Sequence, residues 1–202
     1  MTLRILTATT LSAACLLTGA AIAQDTPLTF SKATVTIDGT SNVHDWTAST
    51  TDVRVTRAQV ASGIGGGSFW DAVVKPGALQ AFDVTIPAAS LTSPRSGLDK
   101  NMHKALNVQR HPDITFRLKA LTATSTPGAF TALGALKVSG VERDVELSLM
   151  LGRSGDSLVV KGTTELLMTD FGIDPPKALL GTVRSSPKVI VSFQTVLASP
   201  LT

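Results

Sequence analysis

The sequence predicts an all-β protein, an antiparallel sheet that carries one short helix. Three observations point there. Apolar and polar residues alternate with a period of two along most of the chain. Turn-forming residues punctuate the alternating stretches. Residues 98–108 alone place apolar side chains at helical spacing, with Leu98, Met102, Ala105 and Leu106 on one side and mostly polar residues on the other.

The chain opens with Met1-Thr2-Leu3-Arg4, an apolar run from Ile5 to about Ala20, and Ala21-Ile22-Ala23. An early positive charge, a short apolar region and an A-x-A site describe a secretory signal peptide cleaved after Ala23. The run is interrupted by Thr7, Thr9, Thr10 and Ser12, too short and too polar for a stable membrane span. Lipoprotein processing at Cys15 needs Ser12-Ala13-Ala14 as its motif after a very short apolar region, which disfavours it. Residues 1–23 are thus expected to be a leader and 24–202 one domain, long enough to bury a core or enclose a cavity. The single cysteine goes with the leader, so the exported chain relies on its core and not on disulfides. It keeps 17 Lys and Arg against 15 acids, nearly neutral and without a basic tract, which argues against nucleic acid. The expected location is the periplasm or outside the cell.

The strands follow in order. Val35 and Ile37 alternate with Thr34, Thr36 and Asp38; Val53 and Val55 with Arg54 and Thr56; Phe82, Val84 and Ile86 with Asp83 and Thr85. After the His111-Pro112 break, Ile114, Phe116 and Leu118 alternate with Thr115, Arg117 and Lys119. Val145, Leu147, Leu149 and Leu151, then Val189, Val191 and Phe193, repeat the pattern. Weaker strands are expected at 68–74, 130–138 and 158–168. Seven or more strands, each with one polar face, argue for antiparallel pairing. A barrel and a sandwich both satisfy the alternation. The helix is expected to start at Ser96, with Asp99 completing a capping box, and to end at Pro112. Asp99 and His103, four apart, are expected to pair on its wet face. A helix beside a sheet in such a chain suggests a flap over a ligand.

Residues capable of chemistry are sparse. His44, His103 and His111 show no metal-binding spacing. No GxSxG occurs, and His44 and Asp45, adjacent on a strand, point to opposite faces. Asp170 and Asp174 flank Phe171-Gly172-Ile173 and suit turn acceptors. Gly65-Gly66-Gly67 precedes Ser68-Phe69-Trp70, read as a strand, so no helix start faces a phosphate there. Trp46, in a polar stretch, either plugs one end of the core or sits half-buried at a barrel mouth.

Five segments, GTSNVHDW (39–46), LDKNMHKAL (98–106), HPDITF (111–116), LKVSGVER (136–143) and MTDFGIDPP (168–176), together resemble the YceI-like family, in family order across most of the chain from about residue 28 to 197. The opening resembles the branch with a G-x-S-x-x-H-D-W motif, distinct from the better-known branch associated with polyisoprenoid binding. The resemblance implies a secreted, lipocalin-like antiparallel β-barrel of about eight strands with a short helical flap. It implies a non-enzymatic carrier that holds a long-chain amphiphile, an isoprenoid or other lipid, with no cofactor, no catalytic set and no metal. Candidate walls and flap residues are Met102, Leu106, Phe116, Leu147, Met168 and Phe171. Candidates for meeting a polar head are Asn42, Trp46 and Lys104. Two rival readings are a ligand-free interaction module with a filled core and an unrecognised hydrolase at His44. The ligand's identity and the oligomeric state, a homodimer included, stay open.

Overall fold

The computed structural model describes residues 23–25, 28–64, 69–178 and 181–198. Residues 1–22, most of the expected leader and Cys15 with it, and residues 65–68, the Gly65-Gly66-Gly67 run among them, lie outside the described residues. The strands are β1 (Ala23–Asp25), β2 (Thr29–Ser41), β3 (Trp46–Thr50), β4 (Arg54–Ala61), β5 (Leu79–Pro87), β6 (Asp113–Ala123), β7 (Ala129–Val138), β8 (Val141–Ser154), β9 (Ser157–Leu167), β10 (Lys177–Ala178) and β11 (Val183–Ala198). Two helices join them, α1 (Phe69–Val73) and α2 (Ser96–Ala105). All pairings are antiparallel, in the order β1-β4-β5-β6-β7-β8-β9-β11-β2-β3, with β10 beside β11. The sheet curls into a partly closed, lipocalin-like barrel. β3, at one end of that order, is tied to the segment after β5 by reciprocal bonds between Ser49 and Thr92 at 2.8 and 3.0 Å.

The sequence alternation sets which face of each strand looks inward. Val145, Leu147, Leu149 and Leu151 of β8 face the interior, as do Val189, Val191 and Phe193 of β11 and Ile114, Phe116 and Leu118 of β6. In β4 the register slips between Val55 and Arg57, so the buried residues change phase to Ala58 and Val60. At the tight β7–β8 turn, Ser139 and Gly140 take φ of 50° and 82°, the positive pair that a two-residue hairpin of matching twist requires. The outer face carries exposed ion pairs, Arg117–Glu142 and Arg153–Asp71 among them, each worth a few tenths of a kcal/mol to about 1 kcal/mol.

Of the segment 68–74, expected as a strand, Phe69–Val73 form the helix α1. Phe69, Trp70 and Val73 are all buried there, so no wet face remains to display a period, and the short apolar run reads equally as strand or helix. α1 closes one end of the barrel against Leu28, Ala58, Val60, Leu158 and Leu197. Phe69 meets Trp70 edge-on at 5.0 Å. The Trp70 indole N–H donates to the Asp156 carbonyl at 2.8 Å, satisfying the one polar atom of this plug.

α2 covers the opposite end. Its Met102 packs with Ala48 and Leu91, flanked by Ile37, Leu106 and Ile114. Its boundaries differ from expectation at both ends. Ser96 is the first helical residue and makes no cap; Asp99 instead reaches back to Ser93, accepting from its N–H and its Oγ–H at 2.7 Å each. Asp99 therefore does not pair with His103, whose Nε2–H donates to the Leu91 carbonyl at 2.7 Å. The helix stops at Asn107, with φ of 52°, five residues before Pro112. Val108 N–H bonds to the His103 carbonyl and Asn107 N–H to the Lys104 carbonyl, the paired 6→1 and 5→2 bonds of a Schellman ending. In the turn after β9, Gly172 and Ile173 N–H bond to Thr169 and Met168 carbonyls, so backbone oxygens do the work expected of the Asp170 and Asp174 carboxylates.

Candidate functional site: an apolar lumen with a polar mouth

The inward faces of the strands enclose three adjoining spaces. Deepest is a chamber of about 200 Å³, floored by Trp70 and Val73 of α1 and walled by inward residues of most strands. Above it, a neck of about 160 Å³ runs between the sheet, α2 and the 168–171 turn. At the α2 end an open cleft of about 490 Å³ forms the mouth. Val35, Ile86, Leu136, Leu166 and Val191 border both chamber and neck, while Trp46, Leu98, Pro176 and Ser185 border both neck and cleft. The three spaces thus succeed one another along the barrel axis. Neck and chamber together approach the lower end of the range for small-molecule sites, about 300–1,000 Å³.

The lining is sharply graded. Among the described residues, no titratable side chain borders the neck or the chamber. Of the polar residues there, Thr164 donates its hydroxyl to the Glu146 carbonyl at 2.9 Å. Polar groups gather instead at the mouth: His44 and Asp45 from the β2–β3 turn, Ser93, Arg95 and Asn101 around the start of α2, and Lys177 of β10.

Three aromatic rings keep the lumen open by lying against glycines. A Cβ built on Gly39 of β2 falls 2.2 Å from Cζ2 of Trp46, its cross-strand partner. One built on Gly162 of β9 falls 2.3 Å from Cζ of its partner Phe193. One built on Gly134 of β7 falls 2.3 Å from Cε2 and Cζ of Phe116. Each ring occupies the place of an absent side chain and lies along the wall instead of projecting across the space. A glycine at an inward strand position is the sequence signal for such close approach, and it marks Gly134 and Gly162 in strands that otherwise alternate.

Of the residues singled out from the sequence, seven border the lumen. Met102, Leu106, Met168 and Phe171 line the neck, Phe116 and Leu147 line the chamber, and Trp46 stands between neck and mouth. Met102 and Phe171 are also buried members of the packing beneath α2 and the 168–171 turn. Asn42 and Lys104 do not line these spaces. The Asn42 side chain is a clamp: Nδ2 donates to the Thr182 carbonyl and Oδ1 accepts from Arg184 N–H, both at 2.8 Å. That ties the β2–β3 turn to the start of β11 and leaves little for a head group. Lys104 is exposed on α2.

Sequence reasoning passed over Arg95, whose Nη1 donates to Nε2 of His44 at 2.7 Å. A guanidinium only donates, so His44 Nε2 is the acceptor in this contact. His44 is exposed, and its ring bonds to an arginine, not to a nucleophile or carboxylate. His111 lies against Gly140 at the other side of the barrel rim. Among the described residues, no three His, Cys, Asp or Glu side chains gather as a metal site, and no helix is long and apolar enough to cross a membrane.

Comparison with known proteins gives the same architecture. The chain resembles the structure of Burkholderia cenocepacia BcnA at 13% identity and a TM-score of 0.62, over 81% of this chain and 95% of that one. It resembles a polyisoprenoid binding domain from Saccharophagus degradans implicated in plant cell wall breakdown at 11% identity and a TM-score of 0.63, over 87% and 99%. It resembles the YCEI protein of Campylobacter jejuni at 14% identity and a TM-score of 0.54, over 98% of both chains. At these identities the likeness is one of fold. No curated protein matches the sequence. The model of the YceI-like domain matches residues 28–197, and the chain belongs to the YceI-like domain family.

Proposed function

We propose that this protein is a non-enzymatic carrier that sequesters the tail of a long-chain amphiphile, an isoprenoid or other lipid, inside its barrel, and that residues 1–23 export it to the periplasm. One observation carries the reading: an elongated, predominantly apolar neck and chamber open through a graded passage onto a polar cleft. Apolar walls bind by removing ligand surface from water, about 0.8 kcal/mol for each methylene buried. Several methylenes offset the entropy of association without any charged contact inside. The polyisoprenoid binding of the Saccharophagus degradans domain supports this ligand class for the shared fold. Among the described residues the neck and chamber present no acidic or basic side chain to activate a nucleophile, which supports binding over turnover.

α2 serves as the gate. It contributes Leu98, Met102, Ala105 and Leu106 to the neck, and it packs through Met102 on Ala48 and Leu91 and through Ala105 and Leu106 on the cluster around Phe171. The test is native mass spectrometry of the protein taken from its own periplasm without detergent, followed by solvent extraction. A stoichiometric lipid adduct supports the carrier. A bare mass that quinones, polyprenols and fatty acids leave unchanged overturns it in favour of an interaction module.

A further inference from the structure

The carrier reading leaves the ligand's head group unspecified, and the mouth of the barrel bears on it. Donors outnumber acceptors there. Arg95 uses one guanidinium N–H on His44, and its remaining side-chain N–H groups have no partner among the described residues. Lys177, exposed on the opposite lip, enters no ion pair with a described residue. The indole Nε1 of Trp46, at the threshold of the neck, is buried with no hydrogen-bond partner. α2 starts at the same place with no side-chain cap, and Gly97 there has open space around it. The first-turn carboxylate Asp99 there is bonded to Ser93. The one carboxylate lining the cleft is Asp45.

We propose that this cleft is a head-group site for an oxyanion, a carboxylate or a phosphate carried at the end of the apolar tail, with Arg95 as its principal donor. This rests on the carrier reading above. An oxyanion accepts without donating, so it matches a cleft in which two cations, Arg95 and Lys177, face one carboxylate, Asp45. Its hydrogen bonds to Arg95 and Lys177 are charge-assisted and stronger than those a neutral alcohol or amide head makes. The His44 contact fixes the guanidinium at the lip. The tail then passes Trp46 and Leu98 into the neck, which places the head where water still reaches it and spares it the cost of full burial.

The experiment compares palmitate with hexadecanol, two ligands with the same tail length and different heads, by isothermal titration at about pH 8, where the carboxylate is ionised. The expected result is palmitate binding about tenfold tighter, the decade that about 1.4 kcal/mol supplies. That preference should disappear in Arg95→Gln, which costs palmitate about tenfold and hexadecanol far less, and grow in Asp45→Asn. Equal binding of the two ligands by the unaltered protein overturns the oxyanion site and leaves the carrier standing. Binding of neither overturns the carrier itself. Equal loss of both ligands in Arg95→Gln overturns the assignment to Arg95, since a head-group donor leaves the tail term intact. Inorganic phosphate that binds alone, in an Arg95-dependent way, marks a site for free anions and overturns the lipid-head reading; phosphate that neither binds nor displaces palmitate supports it.

Discussion

Replacing Gly162 by alanine tests whether the chamber is a real cavity and not a loosely drawn core. The new methyl carbon would sit 2.3 Å from Cζ and 2.8 Å from Cε1 of Phe193, and 2.7 Å from Cδ2 of Leu149. Carbon–carbon contacts settle at about 3.5–4.0 Å, so the ring must retreat by about 1–2 Å. The β9 backbone lies behind the new methyl, which leaves the lumen as the direction of retreat. In a filled core this overpacking costs about 1–3 kcal/mol. Beside an empty chamber of about 200 Å³ the ring has somewhere to go. Alanine also loses less backbone entropy than glycine in a strand, a gain of about 0.5–1 kcal/mol. The two effects nearly cancel, and the melting temperature should move by no more than about 2–4 °C in a chain of this size. The cost appears in binding instead. A displaced ring fills the space of one or two methylenes, about 0.8 kcal/mol each, so affinity for palmitate should fall about fourfold to fifteenfold. Thermal unfolding and isothermal titration on one sample separate the outcomes. A loss of several kcal/mol in stability with unchanged affinity would refute the reasoning, because it would mean that Phe193 is held by neighbours and not by empty space. Gly134→Ala is the poorer probe: its Cβ also falls 2.8 Å from the Arg117 carbonyl, and backbone cannot swing aside.

Three other perturbations separate gate, plug and cap. Met102→Asp puts a carboxylate into the cluster under α2; it should speed ligand release far more than it lowers global stability, since opening α2 lets the charge reach water, and wholesale unfolding in circular dichroism would show that α2 is core and not gate. Trp70→Ala removes the buried plug together with its bond to Asp156, and should cost about 3–5 kcal/mol in denaturant unfolding; a cost below about 1 kcal/mol would mean that α1 is dispensable to the fold. Asp99→Ala strips Ser93 of both its bonds to the carboxylate, about 0.5–2 kcal/mol on the scale of lost caps. Amide exchange should rise across residues 93–105 and stay unchanged in β7 to β9, so a uniform rise through the sheet would contradict a local role.

Strand phase was legible because it is a local property. Ile114, Phe116 and Leu118 alternate with charged neighbours, and the fold has no other way to keep Arg117 and Lys119 wet. α2 was legible for the same reason. What failed were features decided by a third element. α1 hid because Phe69, Trp70 and Val73 are buried from several directions at once. Ser96 offered a plausible cap, but the approach of the 91–95 segment to β3 gives Ser93 to Asp99 instead. Asn42 and Lys104 looked suited to a head group by residue type alone; the β2–β3 turn draws one onto Thr182 and Arg184, and the helix phase keeps the other in solvent. Arg95 was invisible because its partner His44 lies 51 residues away.

The deeper ambiguity is between lining a cavity and filling a core, since both demand inward apolar residues at every second position. Met102, Leu147 and Phe171 satisfy either. What separates the two is the balance of volume at each level of the barrel. A core answers a large side chain with another that interlocks with it. Here Trp46, Phe116 and Phe193 are each met by a glycine, so three of the largest rings lie along the wall and take up little of the space between the strands. The pairing of Gly162 with Phe193 and of Gly39 with Trp46 is written in strand register, which a sequence shows only once its hairpins are correctly joined. Alternation therefore specifies which face of each strand looks inward, and the glycines beneath aromatic rings leave space between those faces.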